Sequence, residues 1–103
     1  GDSIYNLGNI TGATTVNLNN GTIQTCTLTG NVTFDISSVT TAKSLTLIMT
    51  QGSGGNKFIS FDSPILYAYA YKTLSTSANA VDMLNIVNVG NTYYATLTTG
   101  YAV

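Results

Sequence analysis

The chain has no histidine, no glutamate and no arginine, so it lacks the side chains that most often exchange protons near pH 7 or bind anions in pairs. The groups that ionise are three lysines and four aspartates: Lys43, Lys57, Lys72, Asp2, Asp35, Asp62 and Asp82. A catalytic role would require one of them to be strongly perturbed by charged neighbours, and the sequence places none of them close together. We therefore predict that the protein is not an enzyme.

Charge is scarce altogether, because charged residues make up 7% of the sequence, against about 25% in typical soluble proteins. The net charge is -1 and no basic patch is present, so nucleic acid is not an expected partner. No apolar run is long enough to insert into a membrane. A weakly charged surface gives little electrostatic protection from self-association, which suits a protein that belongs to an assembly.

Cysteine occurs once, at Cys26, so the chain cannot form an internal disulfide. Cys26 lies between Thr25 and Thr27, and on a strand it would lie on the same face as Leu28. This pattern predicts that Cys26 is a buried small apolar side chain. Neither a zinc-binding spacing nor a calcium-binding loop is present. We expect no metal and no cofactor.

Apolar and polar side chains alternate with a period of two along most of the sequence. Val32, Phe34 and Ile36, for example, alternate with Thr33 and Asp35. Seven or eight short strands of this kind predict an all-β fold, specifically a single antiparallel β-sandwich of the jelly-roll type. We assign residues 1–20 to an N-terminal connecting segment with the first strand, and residues 21–103 to the sandwich.

Glycine and asparagine mark the predicted turns. Asn20-Gly21 is typical of a tight hairpin turn, and Gly90-Asn91 is a second turn signal between apolar runs. The stretch Gly52 to Asn56 could be mistaken for a phosphate-binding loop, but it lacks the Gly-Lys-Ser/Thr ending and precedes a strand pattern. We interpret it as a hairpin loop.

Two predicted strands, within Leu45 to Met49 and Met83 to Val87, carry apolar side chains on both faces. An antiparallel sheet of a small sandwich normally leaves one face to water. The second apolar face predicts a subunit interface, with Ile48, Leu84 and Ile86 as its candidate residues. The alternative is that loops of the same chain cover these strands.

Tyr67, Tyr69 and Tyr71 are spaced by two residues, so on a strand they would form a row of phenols on one face. Such a row could bind a sugar or a protein, or it could pack inside the sandwich or against another subunit. Asp82 follows Val81 at the start of a predicted strand, and we predict that it caps the backbone of the loop from Ser77 to Ala80.

The order of three stretches resembles a trimeric β-domain that recurs in bacteriophage virion proteins such as tail fibres, head fibres and capsid decorations. The stretches are TCTLTGNVTFDIS, AKSLTLIMTQGSGGNKFISFDSPI and TLSTSANAVDMLNIVNVGNTYYATL, which cover about three quarters of the chain. Where that family has tryptophan, this chain has Phe61, a tyrosine in the 67–71 row, and Tyr93.

The resemblance implies a β-sandwich that associates around a threefold axis, a place in the virus particle, and no catalytic residues. Its implied partners are further copies of the chain and other virion proteins, with a host-surface glycan as an additional candidate. Residues 1–20 have no counterpart in the family, and we interpret them as a connection to an upstream shaft or anchoring domain. The chain would then be the outward-facing, C-terminal module of a fibre or decoration protein.

Two alternatives stay open. A bacterial extracellular carbohydrate-binding or adhesin domain would be monomeric and would use the tyrosine row as its binding platform. A hydrolase would need two of Asp35, Asp62 and Asp82 to lie within roughly 5–10 Å of each other in a cleft.

Overall fold

Seven β-strands and two short 3₁₀ turns make up the fold in a computed structural model, which describes residues 3–103. The strands are β1 (Ile4–Thr15), β2 (Ile23–Asp35), β3 (Ser44–Gln51), β4 (Ile59–Phe61), β5 (Ile65–Tyr67), β6 (Val81–Val89) and β7 (Thr92–Thr98). The 3₁₀ turns are Leu18–Asn20 and Ala68–Ala70. The all-β prediction is confirmed.

The prediction that the strands are antiparallel throughout is wrong, because they form one mixed sheet. Its order is β1-β2-β3-β6-β7-β5, with β4 paired to β2 outside that path. Among the described strands, β1–β2, β2–β3, β2–β4 and β5–β7 are parallel pairs, and only β3–β6 and β6–β7 are antiparallel. The arrangement remains compatible with a β-sandwich.

The parallel pairing of β1 with β2 requires the chain to curl. Ile4 pairs with Ile23 and Thr15 pairs with Asp35, so the connection must return along the whole strand. Eleven residue steps of a straight strand span about 36 Å, whereas the eight steps from Thr15 to Ile23 reach at most about 29 Å. Two irregularities bend the strand, next to Gly8 and Gly12, which have φ of 75° and 73°.

Residues 3–21 therefore make one closed circuit of the chain, which we call the first coil. Its two ends meet, because a side chain at Gly21 would lie 3.1 Å from the carbonyl carbon of Ser3. β2 begins a second coil directly beneath the first, and Ile23 in turn pairs with Thr46 of β3. Residues 1 and 2 lie outside the described residues. The rest of the predicted N-terminal segment is thus an integral layer of the fold, and Ile10 and Val16 belong to the core.

β2 pairs with two different strands along the same edge. Residues 23–28 pair with β3 and residues 32–34 pair with β4. Both strands run parallel to β2, so the chain does not reverse its direction between them. The segment that joins them is therefore a bulge and not the predicted hairpin loop. The Gln51 side chain holds this bulge: its Nε2 donates to the carbonyls of Lys57 and Ser75 at 2.9 Å each, and its Oε1 accepts from the Lys57 N–H at 3.1 Å.

The two predicted tight turns have different outcomes. Asn20-Gly21 does not form a hairpin, because the 3₁₀ turn Leu18–Asn20 leads into a parallel strand. Gly90-Asn91 does connect the antiparallel strands β6 and β7, with φ of 57° and 67° at the two turn residues. Positive φ at both positions is the signature of the primed turn that matches strand twist.

The core lies on the inward side of the central strands and is filled by alternating residues. Its fully buried members include Leu28, Phe34, Ile36, Leu45, Leu47, Met49, Leu84 and Ile86. Phe34 packs against Phe61 of β4, with ring centroids 5.5 Å apart. Because β2 supplies buried side chains on both sides of Gly30, it links the two ends of the core.

Gly30 is required by the contact between the two coils. A Cβ at this position would lie 2.9 Å from the Thr11 Cβ and would also clash with its hydroxyl.

We expect Gly30→Ala to lower the free energy of unfolding by about 1–3 kcal/mol, as overpacking usually does. Urea unfolding followed by circular dichroism measures this. Gly54→Ala is the matched control, because nothing lies within 4 Å of its added methyl group. Adding Thr11→Gly to Gly30→Ala should restore stability, and equal midpoints for Gly30→Ala and Gly54→Ala would contradict the proposed contact.

Candidate interaction surface

The side of the sheet opposite the core forms an extended open surface, which we call the outer face. Strand alternation builds it: the strands that bury Leu47 and Leu84 inward present Ile48 and Met83 outward, and these two residues are paired neighbours. The outer face consists of Ile4, Asn6, Ile23, Thr25, Thr27, Thr46, Ile48, Thr50, Leu66, Val81, Met83, Asn85, Val87, Val89, Tyr94, Thr96 and Thr98.

None of these outer-face residues carries a charge. Several apolar side chains are strongly exposed, with Ile4 at 68%, Leu66 at 55% and Tyr94 at 48% of their accessible surface. Between them lie threonine and asparagine side chains, of which Thr46 donates from its Oγ1 to the Asn85 Oδ1 at 2.8 Å. An uncharged surface on which exposed apolar side chains lie among threonine and asparagine side chains suits a protein interface.

The outer face is not flat along its whole width. Near the β7–β5 edge it contains a hollow of about 550 Å³, whose wall includes Thr46, Leu66, Asn85, Val87, Tyr94 and Thr96. At the opposite edge, Ile4 of β1 projects beside Ile23 of β2. One edge of the outer face is therefore recessed, and the other carries projecting apolar side chains.

Of the predicted interface residues, only Ile48 lies on the outer face, where it is half-buried. The assignment of Leu84 and Ile86 is wrong, because they are 0% and 2% exposed in the core of the same chain. Their partners on β3 explain this: Leu84 pairs with Leu47 and Ile86 with Leu45, all directed inward. The outward residues of β6, such as Met83 and Val87, were missed because both alternating sets of that strand contain polar and apolar residues.

The predicted row of three tyrosines does not form. β5 ends at Tyr67, which packs against the core, and burial raises the pKa of its phenol. The next residues make a 3₁₀ turn in which Tyr69, at φ 57°, is fully exposed. Tyr71 is exposed, and its hydroxyl lies 3.4 Å from the Thr99 Oγ1. Of the predicted platform, only the exposed Tyr69 and Tyr71 remain accessible.

Asp82 is buried and satisfies three donors with its carboxylate. Its Oδ2 accepts from the Ser75 N–H at 2.7 Å, and its Oδ1 accepts from the Ser75 hydroxyl at 2.8 Å and the Gly100 N–H at 2.9 Å. Asp82 thus caps the backbone at Ser75 and Gly100, and not that of Ser77 to Ala80 as predicted. This carboxylate ties two loops to the start of β6.

Among the remaining reactive groups, Asp35 and Asp62 come near each other, because they directly follow Phe34 and Phe61, which pair on β2 and β4. The Cys26 thiol is 4% exposed, and burial raises its pKa to about 12, so the nucleophilic thiolate is strongly disfavoured. The Asp35 carboxylate accepts a hydrogen bond from the Ser37 N–H at 2.8 Å, which lowers its pKa, and Asp62 is exposed. Among residues 3–103 no group of three metal-ligating side chains comes together.

Comparison of the chain with family models, with curated proteins and with solved structures finds no match. In the described part of the chain, no helix has the length and apolar character needed to cross a membrane. The surface itself is therefore the feature of the molecule that bears on function.

The role of Asp82 can be tested with the isosteric variant Asp82→Asn. An amide group would place a donor where the carboxylate now accepts from Ser75 or Gly100, so at least one buried hydrogen bond is lost. We expect the free energy of unfolding to fall by about 1.5–3 kcal/mol, the usual range for hydrogen bonds to a charged group. Asp62→Asn is the control at an exposed site and should change stability by less than about 0.5 kcal/mol. Equal effects in a chemical denaturation series would show that the Asp82 carboxylate has no special capping role.

Proposed function

We propose that the protein is a non-enzymatic structural module of a bacteriophage particle, the C-terminal domain of a fibre or a capsid-decoration protein, and that it assembles as a homotrimer through the outer face. The observation that carries the proposal is that the face is uncharged and exposes several large apolar side chains. The resemblance to trimeric virion domains supplies the class of particle, and other virion proteins would be its further partners.

The distribution of charge supports self-association through this surface. Lys43, Lys57, Asp62 and Lys72 lie in connections between strands. Asp35 is the last residue of β2, beyond the stretch that pairs with β3, so the parts of the outer face on β3, β6 and β7 can meet without burying an unpaired charge. Threonine and asparagine side chains on the face can pair across the contact, as Thr46 and Asn85 do within one chain. Exposure of this much apolar surface in a particle component is otherwise a liability for aggregation.

The two unlike edges of the outer face favour a cyclic assembly. Projecting Ile4 and Ile23 at one edge would enter the hollow beside Leu66 and Tyr94 in the next copy. A contact between two different patches is head-to-tail. Such contacts close into a ring when the rotation that relates one copy to the next is a whole fraction of 360°. Three copies would satisfy this condition with a rotation of 120° per copy.

The trimer would also present three copies of the turn at Tyr69. Tyr69 and Ala70 both have positive φ, 57° and 56°, a conformation that costs a non-glycine residue about 1–2 kcal/mol. A fully exposed aromatic side chain held at a strained turn suits stacking on a sugar ring. Each such contact is weak, and three copies would bind a host-surface glycan by avidity.

The same turn is the one observation that favours the second candidate function, an extracellular bacterial carbohydrate-binding or adhesin domain. That candidate needs no trimer, since a monomer presenting Tyr69 and Tyr71 could bind a glycan alone. The oligomeric state therefore separates the two functions.

Light scattering coupled to size-exclusion chromatography tests the trimer. We expect a mass of three times the 10.8 kDa of one chain. Ile48→Lys and Val87→Lys place a charge on the outer face and should yield monomers, because an unpaired buried charge opposes association. Ser53→Lys, in an exposed loop, is the control and should remain trimeric. A monomeric parent protein at micromolar concentration would overturn the proposal and favour the adhesin alternative.

Glycan binding is tested separately on an array of bacterial surface polysaccharides. Tyr69→Ala should reduce the apparent affinity at least tenfold through lost stacking at each of the three copies, while Phe58→Ala, at an exposed aromatic residue outside the turn and the outer face, should leave it unchanged. Identical binding by both variants would remove the turn as the glycan contact without affecting the trimer.

A further inference from the structure

We propose that a hollow inside the segment 58–74, which we call the β4–β5 arch, binds a small organic carboxylate with an apolar body. The hollow measures about 270 Å³, and we call it the arch hollow. Its lining residues are Ile59, Ser60, Phe61, Ser63, Ile65, Tyr67 and Lys72. None of them belongs to the outer face, so the proposal goes beyond the proposed function and does not depend on the trimer.

The β4–β5 arch is one continuous loop whose two ends are held together. The Gln51 Nε2 donates to the carbonyls of Lys57, directly before the arch, and Ser75, directly after it, at 2.9 Å each. Between these two anchors the chain passes through β4, the turn at residues 62–64, β5 and the second 3₁₀ turn. Every lining residue of the arch hollow comes from this loop. The hollow is therefore bounded by a segment that is fixed at both ends.

The apolar wall of the arch hollow consists of core side chains that are left partly uncovered. β4 pairs only with β2, and β5 pairs only with β7, among the strands of residues 3–103. Phe61 of β4 and Tyr67 of β5 both pack against the core and are half-buried. Their partners on the neighbouring strands, Phe34 and Ala95, are 0% and 4% exposed. A ligand in the hollow would cover apolar surface that water now reaches.

Lys72 supplies the only charge in the lining of the arch hollow. A second hollow of about 230 Å³ on the same arch shares Lys72, Ile65 and Tyr67 with the first. No carboxylate of the described residues lines either hollow, although the exposed Asp62 lies nearby in the turn of the arch. An apolar wall beside a single cation complements an anionic group that is attached to an apolar body.

The size of the arch hollow and the state of Tyr67 narrow the class of ligand. Sites for drug-sized molecules measure about 300–1,000 Å³, so the arch hollow suits a smaller molecule. Burial raises the pKa of the Tyr67 phenol, so the phenol keeps its proton at neutral pH and can donate to a carboxylate oxygen. Lys72 and Tyr67 would thus hold the carboxylate, while Ile59, Phe61 and Ile65 contact the apolar body.

The test compares 3-phenylpropionate with 3-phenylpropanol, because the two molecules share an apolar body and only the first is charged. Titrations followed by amide chemical shifts in NMR spectra give both the dissociation constant and the place of binding. We expect the largest shifts at residues 59–72 and about threefold tighter binding of the carboxylate than of the alcohol, the effect of one exposed ion pair.

Three variants separate the charge of Lys72 from other effects. Lys72→Gln should weaken binding of the carboxylate about threefold and leave binding of the alcohol unchanged. Lys43→Gln, at an exposed lysine outside the arch, is the matched control and should change neither. Asp62→Asn removes the nearby carboxylate of the protein and should not weaken binding of the ligand carboxylate.

Four results would overturn the proposal. The first is no shift at residues 59–72 at millimolar ligand, and the second is equal binding of carboxylate and alcohol to the parent protein. The third is a pattern of shifts that is largest in the outer-face hollow beside Tyr94 and Thr96. The fourth is an equal loss of carboxylate binding in Lys72→Gln and Lys43→Gln. None of these results would bear on the trimer, which is measured by mass.

Discussion

The parallel pairing of β2 with the strands on both of its sides is the constraint on which the rest of the structure depends. β2 holds β1 along one edge and both β3 and β4 along the other, because its residues 23–28 and 32–34 pair with different strands. The core and the outer face are the two sides of the sheet that this pairing creates. The Gln51 amide and the Asp82 carboxylate then hold the connecting loops in place by hydrogen bonds to their backbone.

Most strand positions from β2 onward were predictable from alternation, but the position of β1 and the direction of the strands were not. Alternation reports which side chains share a face, and it has the same period in parallel and antiparallel strands. Asn20-Gly21 misled because a hairpin signal and a sharp connection between parallel strands use the same residues, whereas Gly90-Asn91 was predicted correctly. A signal for stacked coils was present: Ile10-Thr11-Gly12 is followed 18 residues later by Leu28-Thr29-Gly30, and Ile10 pairs with Leu28.

The interaction surface was predictable in kind and only partly in residues. Apolar residues on both faces of β3 and β6 indicated that each strand has two apolar environments, and the structure provides a core and an outer face. Which set of β6 faced inward depended on its register with β3, where Leu84 meets Leu47, and no local pattern encodes that register. The tyrosine row failed for a different reason, since the strand stops at Tyr67 and the following backbone enters the left-handed region.

The hydrogen bonds of Asp82 have a consequence for the order in which the protein matures on the ribosome. A chain emerging from its N-terminus can stack β1, β2 and β3 early, but the carboxylate receives the Gly100 N–H only after 18 more residues have been made, and β5 must wait from Ile65 until Tyr93 for its partner. The stacked half therefore matures ahead of the hairpin half. During that interval the edge of β3 that pairs with β6 is unpaired, and an unpaired strand edge is a template for other strands.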